Sequence, residues 1–173
     1  MFRTVLLAGS LAVMAACNEP TDVDSASLTA LEGELSPTLQ GVWMLVEVEI
    51  QGGDNPRIVS GSQIQPSLLI YTEQYVSWAF VLGTEPRPLL GYDASDEELG
   101  AAARRYASSS GTYERDGSTL RYYRTVALSP NAMLPENQPY VRELVSLSMY
   151  RLQTSSLPNV DGVTVILRYN RVE

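Results

Sequence analysis

The chain is 173 residues long, with 12 basic against 20 acidic side chains and a formal charge of −8. Every base is arginine and there is neither lysine nor histidine, which excludes a Ser-His-Asp relay, a histidine-liganded metal site, a Schiff-base lysine and a phosphate-cradling lysine. The acidic balance also argues against nucleic acid as a partner, while 45% apolar residues with ten tyrosines and two tryptophans suffice for a folded core.

Residues 1–16 read as an export signal, with Arg3 followed by an apolar run from Val5 to Ala16. At ~1.5 Å per residue that run covers about 18 Å, short of a ~30 Å hydrocarbon core, so it is not read as a transmembrane helix. Met14-Ala15-Ala16-Cys17 resembles the lipobox of bacterial lipoproteins, with Met14 where leucine is usual. The resemblance implies cleavage before Cys17 and lipidation of that residue; an ordinary secretory signal cut after Ala15 is the alternative. Cys17 is the only cysteine, so it closes no internal disulfide in an exported chain. Asn18 behind it resembles the pattern of lipoproteins sorted to the outer membrane, which implies a lipid-anchored protein of the bacterial envelope facing the periplasm. Residues 17–38 carry Glu19, Asp22, Asp24, Glu32 and Glu34 with no base and no aromatic, the composition of an acidic tether.

Residues 39–173 make one domain's length, and period-two patterning dominates it. Strands are expected over Val42–Ile50, Ser67–Thr72, Tyr75–Leu82, Gly111–Arg115, Thr119–Leu128, Tyr140–Leu147, Met149–Gln153 and Val163–Asn170. Gly52-Gly53-Asp54 reads as a turn. A helix is expected from Asp96 to about Ala107, opened by a Ser95/Glu98 capping box and burying Leu99, Ala102, Ala103 and Tyr106. Asp116-Gly117 marks a tight hairpin, which opposes Tyr113 to Leu120 and puts Tyr113, Leu120, Tyr122, Arg124 and Val126 on one face. Eight antiparallel strands with one helix predict an all-β barrel that closes its own edges. One conflict stands in the first strand. Trp43 shares parity with Glu47 and Glu49, while Val42, Met44, Val46, Val48 and Ile50 form a wholly apolar row. A β-bulge, or cover on both faces, would reconcile them.

Gly41-Val42-Trp43-Met44-Leu45, Tyr71-Thr72-Glu73-Gln74-Tyr75-Val76-Ser77, Ser110-Gly111-Thr112-Tyr113 with Asp116-Gly117, then Pro130-Asn131 and Arg142, occur in the order of the bacterial lipocalin-like domain. The resemblance covers about Leu39 to Glu173. It departs where relatives often carry a His-His pair and this chain has Tyr122-Tyr123, and where Glu73-Gln74 replaces an Asp-Gly turn. It implies an eight-stranded lipocalin-like barrel in which Arg171, last of the row Val163, Val165, Leu167 and Tyr169, packs over Trp43 at the closed end.

Arg124, on the inward row of its hairpin, is costly to bury unpaired. It reads either as an anchor for an anionic group or as the partner of a core acid, unless a bulge turns it outward. Arg142, flanked by Tyr140 and Leu144, carries the same alternatives. Tyr71, Trp78, Tyr113 and Tyr122 are expected to line the interior, where aromatic rows are also ordinary core. Glu47/Glu49 and the run Asp96-Glu97-Glu98 suit a solvated strand face and a helix start. Catalytic, metal and cofactor sites are therefore not expected. The reading is a small, largely apolar or amphiphilic ligand inside the barrel. A filled barrel presenting loops to an envelope protein is the alternative, and an isomerase or cyclase is third.

Overall fold

A computed structural model describes residues 37–159 and 161–173; the export signal, Cys17 and the tether as far as residue 36 lie outside the described residues. Nine strands follow in chain order: β1 (Gly41–Gln51), β2 (Arg57–Ser60), β3 (Ser67–Tyr71), β4 (Tyr75–Val81), β5 (Tyr106–Asp116), β6 (Thr119–Ala127), β7 (Tyr140–Leu147), β8 (Arg151–Ser156) and β9 (Thr164–Arg171). All pairings are antiparallel, running β1-β3-β4-β5-β6-β7-β8-β9, and β9 returns to pair with β1 from Trp43 to Gln51. The expected eight-stranded antiparallel barrel with one helix is thus what forms. β2 is a ninth strand outside that circuit, laid along the far half of β1.

The parity conflict in β1 resolves through a bulge between Leu45 and Glu47. The extra residue inverts the alternation. Trp43 and Leu45 face inward before it, Val48 and Ile50 after it, and the carboxylates of Glu47 and Glu49 turn out to meet Arg168 on β9. Each half of β1 therefore turns two apolar residues inward although no single row runs its length, and Met44 and Val46 are left exposed.

The β5–β6 hairpin differs from expectation by one residue. Gly117 and Ser118 form the turn, with Gly117 at φ +58°, so Asp116 pairs with Thr119 and Tyr113 opposes Tyr122 instead of Leu120. A second irregularity follows, because Ser110 pairs with Val126 but Gly111 with Arg124. Thr125 is the added residue, and it turns Val126 outward, 65% exposed, off the inward row where it was expected. Gly111 is required at this kink, since a Cβ there would collide with the Tyr123 carbonyl.

The helix α1 (Asp96–Arg104) begins as its capping box predicts: Ser95 Oγ accepts from the Glu98 amide, and the Glu98 carboxylate accepts from the Ser95 amide. Those bonds hold the Glu98 carboxyl below its usual range. It ends earlier than expected because Tyr106 opens β5, and of the predicted stripe Ala102 alone is buried. Among the described residues no helix is long and apolar enough to cross a membrane.

The core is packed most tightly around Trp43 and Leu120, both 0% exposed, with Leu39, Leu69, Val76, Leu144 and Leu152 around them. The Trp43 indole N–H donates to the Leu39 carbonyl at 2.8 Å. Arg171 lies 4.2 Å from the Trp43 ring centroid, and its guanidinium donates to the carbonyls of Gln40 (2.6 Å) and Thr38 (2.5 Å). The segment entering the barrel and the strand leaving it are thereby tied over one ring.

Candidate functional site

Away from the Trp43 end the barrel is hollow. The cavity has a volume of about 570 Å³. Its walls follow from the two-residue period of the strands: Leu45, Val48 and Ile50 from β1, Leu69 and Tyr71 from β3, Trp78 and Phe80 from β4, Tyr122 and Arg124 from β6, Tyr140 and Arg142 from β7, Thr154 from β8, and Val165, Leu167 and Tyr169 from β9. Trp78 and Phe80 stack with centroids 5.1 Å apart.

Arg142 is 8% exposed and spends its hydrogens on neutral acceptors. Nε donates to Thr154 Oγ1 (3.1 Å), Nη1 to the Tyr140 hydroxyl (2.9 Å), and Nη2 to the carbonyls of Val165 (3.0 Å) and Thr154 (3.4 Å). The other face of this arrangement is Arg124. Its guanidinium carbon lies 5.1 Å from the Tyr140 ring centroid, and Nη2 donates to the Asn137 carbonyl at 2.7 Å. Arg124 Nε is buried with no hydrogen-bond partner. Tyr140 thus joins the two arginines, its ring facing one and its hydroxyl accepting from the other.

Three further tyrosines border this charge. The Tyr71 and Tyr122 hydroxyls are hydrogen-bonded to each other at 2.5 Å. Burial raises the Tyr71 phenol well above its ordinary pKa, with Tyr122 adding to the effect. Burial pushes Tyr122 up to about 12 and raises Tyr169 further, while the nearby Arg142 charge pulls all three in the opposite direction. At physiological pH these three phenols are neutral donors and acceptors. Among the described residues lining the cavity there is no carboxylate; its charges are Arg57, Arg124 and Arg142.

Of the residues singled out from sequence, the fold brings Tyr71, Trp78, Tyr122, Arg124 and Arg142 to one cavity. Tyr113 lies outside its lining, packing edge-on to Tyr71 at 4.9 Å and donating its hydroxyl to the Thr72 carbonyl. Trp43 and Arg171 form the packed end. Sequence reasoning did not single out Phe80, Thr154 or Arg57. Phe80 was legible as the inward neighbour of Trp78 on β4, whereas Arg57 belongs to a strand of four residues with little alternation to read.

No family model matches the chain, and no curated protein matches it. Among solved structures, a lipocalin-like protein from Bacteroides uniformis matches with a TM-score of 0.40 and 14% identity, covering 75% of this chain and 96% of that one. An uncharacterized protein from Bacteroides eggerthii matches with a TM-score of 0.42 and 9% identity, covering 78% of this chain and 99% of that one.

Proposed function

We propose that this protein binds a small, largely apolar molecule inside its barrel, and that a lipid on Cys17 holds it at the bacterial envelope. A single observation carries the first part. Eight strands enclose an interior that side chains can fill or that can hold one ligand, and here about 570 Å³ is left open although ten residues of the surrounding core are closely packed. That volume lies within the ~300–1,000 Å³ of small-molecule sites, and the wall has their chemistry, mostly apolar and aromatic with a few convergent polar groups. The charged lining groups are arginines, so binding suits the cavity better than proton transfer.

Tryptophan fluorescence tests this, because Trp78 lines the cavity while Trp43 is sealed under Arg171. Titration with an apolar probe such as 1-aminoanthracene should change emission saturably, and Trp78→Phe should remove that change while the probe's own fluorescence still reports binding. A flat titration with both signals would leave a barrel that displays loops to another envelope protein. The anchor rests on Met14-Ala15-Ala16-Cys17. Cys17→Ser should shift the protein out of the membrane fraction or leave it unprocessed; a variant that fractionates and migrates like the wild type would refute the anchor.

A further inference from the structure

We infer that the occupant is a single-chain amphiphile with an oxyanion head, and that the head is held by Arg142 and Arg124 on the two sides of Tyr140. The inference rests on the cavity being a ligand site and adds which end of the ligand the protein recognises.

The charge pattern of the barrel is the starting point. Three outward-facing arginines meet acids, Arg168 with Glu47 and Glu49, Arg105 with Glu85, and Arg121 with Asp116, while the other described arginines have no acidic partner. Acid is plentiful, since the chain carries 20 acidic side chains against 12 basic ones. Yet among the described residues neither Arg124 nor Arg142 has an acidic partner, and the wall they share contains no carboxylate. A buried guanidinium keeps its proton, so it cannot escape the cost of burial by becoming neutral. Arg142 is served by hydroxyls and carbonyls, which satisfy its hydrogens but leave its charge. Arg124 retains even a hydrogen-bond vacancy at Nε. Two like charges joined through one tyrosine favour an anion between them.

The geometry also suits oxygen acceptors. Arg124, with a single bond to the Asn137 carbonyl, keeps N–H groups for a carboxylate or phosphate, while Arg142, whose N–H groups are largely engaged by Thr154, Tyr140 and Val165, contributes its charge. The Tyr71 and Tyr122 hydroxyls carry two protons between them and use one in their mutual bond, which leaves the second as a neutral donor. Much of the rest of the wall, including Leu45, Val48, Ile50, Phe80 and Leu167, offers apolar surface to the remainder of the molecule, with Arg57 and Gln65 as polar exceptions on the β2 side. An anionic head with a hydrocarbon tail therefore meets complementary chemistry at both ends, whereas a neutral lipid leaves the charge unanswered and a cationic one opposes it.

Calorimetric titration of the full chain with four probes of equal length, dodecanoate, dodecyl phosphate, dodecanol and dodecylammonium, separates the possibilities. Dodecanoate or dodecyl phosphate should bind at least tenfold tighter than dodecanol, and dodecylammonium weakest; whichever oxyanion binds tighter identifies the head. Arg142→Met and, separately, Arg124→Gln should lower dodecanoate and dodecyl phosphate affinity at least tenfold and dodecanol affinity much less, with an unchanged far-UV circular dichroism spectrum reporting that each variant is folded. Dodecanoate affinity should fall as the pH drops through the carboxyl range near ~4–5, with dodecanol unchanged. Equal affinity for dodecanol and both oxyanions, or preference surviving both substitutions, would overturn the anionic head and leave the apolar cavity reading intact. Failure of all four probes to bind would overturn both.

Discussion

At the packed end Arg171 lies over Trp43, and its hydrogens go to the carbonyls of Thr38, Gln40 and Glu173. In the hollow half Arg124 lies over Tyr140 with one carbonyl bonded, and the Nε of each of the two arginines is buried without a hydrogen-bond partner. Both regions place a cation on an aromatic face, an arrangement worth roughly 0.5–2 kcal/mol according to its exposure to water. They differ in what fills the remaining space. Around Trp43 three backbone oxygens accept from the terminal nitrogens of Arg171. Around Arg124 and Arg142 the space next to the charge is empty of acid and bounded by apolar wall. The same residue type meets three backbone oxygens at the packed end and one at the wall of the cavity.

The sharpest way to break this comparison is to remove the packed end. Trp43→Ala should destabilise the domain by about 3–5 kcal/mol, since it deletes a fully buried indole and its bond to Leu39. Urea unfolding measures this, and a loss below about 1 kcal/mol would show that the Trp43 end does not hold the barrel.

Alkaline pH strikes the hollow half next. The Tyr122 phenol is pushed up to about 12 by burial, above the value near 10 of an unfolded chain. A raised folded pKa means stability that is complete below pH ~10 and is lost as the pH climbs through 12. At about 1.4 kcal/mol per unit the loss from Tyr122 is roughly 2–3 kcal/mol, read as a fall in the denaturant midpoint across that window. A midpoint unchanged up to pH 12 would contradict the burial of this phenol.

The smallest effects sharpen the contrast between the arginines. Arg171→Ala should cost about 1–2 kcal/mol through lost packing and cation–π contact. Arg142→Met removes a buried charge but leaves Thr154 Oγ1, the Tyr140 hydroxyl and the Val165 carbonyl without their donor, so it should cost about 1–3 kcal/mol. Parallel urea melts measure both, and a cost below about 0.3 kcal/mol for either variant would show that the contacts of that arginine do not hold the barrel.

Much of the architecture was legible because alternation reports which face of a strand is buried. Tyr140–Leu147 forms over the span predicted, and Val165, Leu167, Tyr169 and Arg171 keep their shared parity to the end of β9. The bulge in β1 announced itself, because two glutamates on the tryptophan's parity could not both be inside. The bulge at Thr125 gave no such warning. Val126 and Ala127 are both apolar, so either parity looked acceptable and the one-residue inversion went unread. The hairpin register failed for a related reason, as Gly117 serves its turn whether paired with Asp116 or Ser118. At the site, the inward arginines were visible from parity, but Tyr140 as the element joining them depends on distances between β6, β7 and the Asn137 turn that no local pattern encodes.

The edge of β1 is divided between two partners, Gly41–Trp43 with β3 and Glu47–Ile50 with β2. At the fork the Leu45 amide donates to the Ser67 hydroxyl. From that point the wall is a seam, because β2 pairs with β1 alone and the chain beyond it is fastened by lesser contacts such as the Gln65 amide on the Thr84 carbonyl. Val59, Ile64 and Gln65 on this stretch all border the cavity. Local opening requires breaking only the bonds that span the opening unit, so this stretch can unlatch while the ladder through Trp43 stays shut. Amide exchange should accordingly be fast over residues 57–65 and slow at Trp43 and Leu69, so the part of the cavity wall that loosens first is set independently of the stability of the whole.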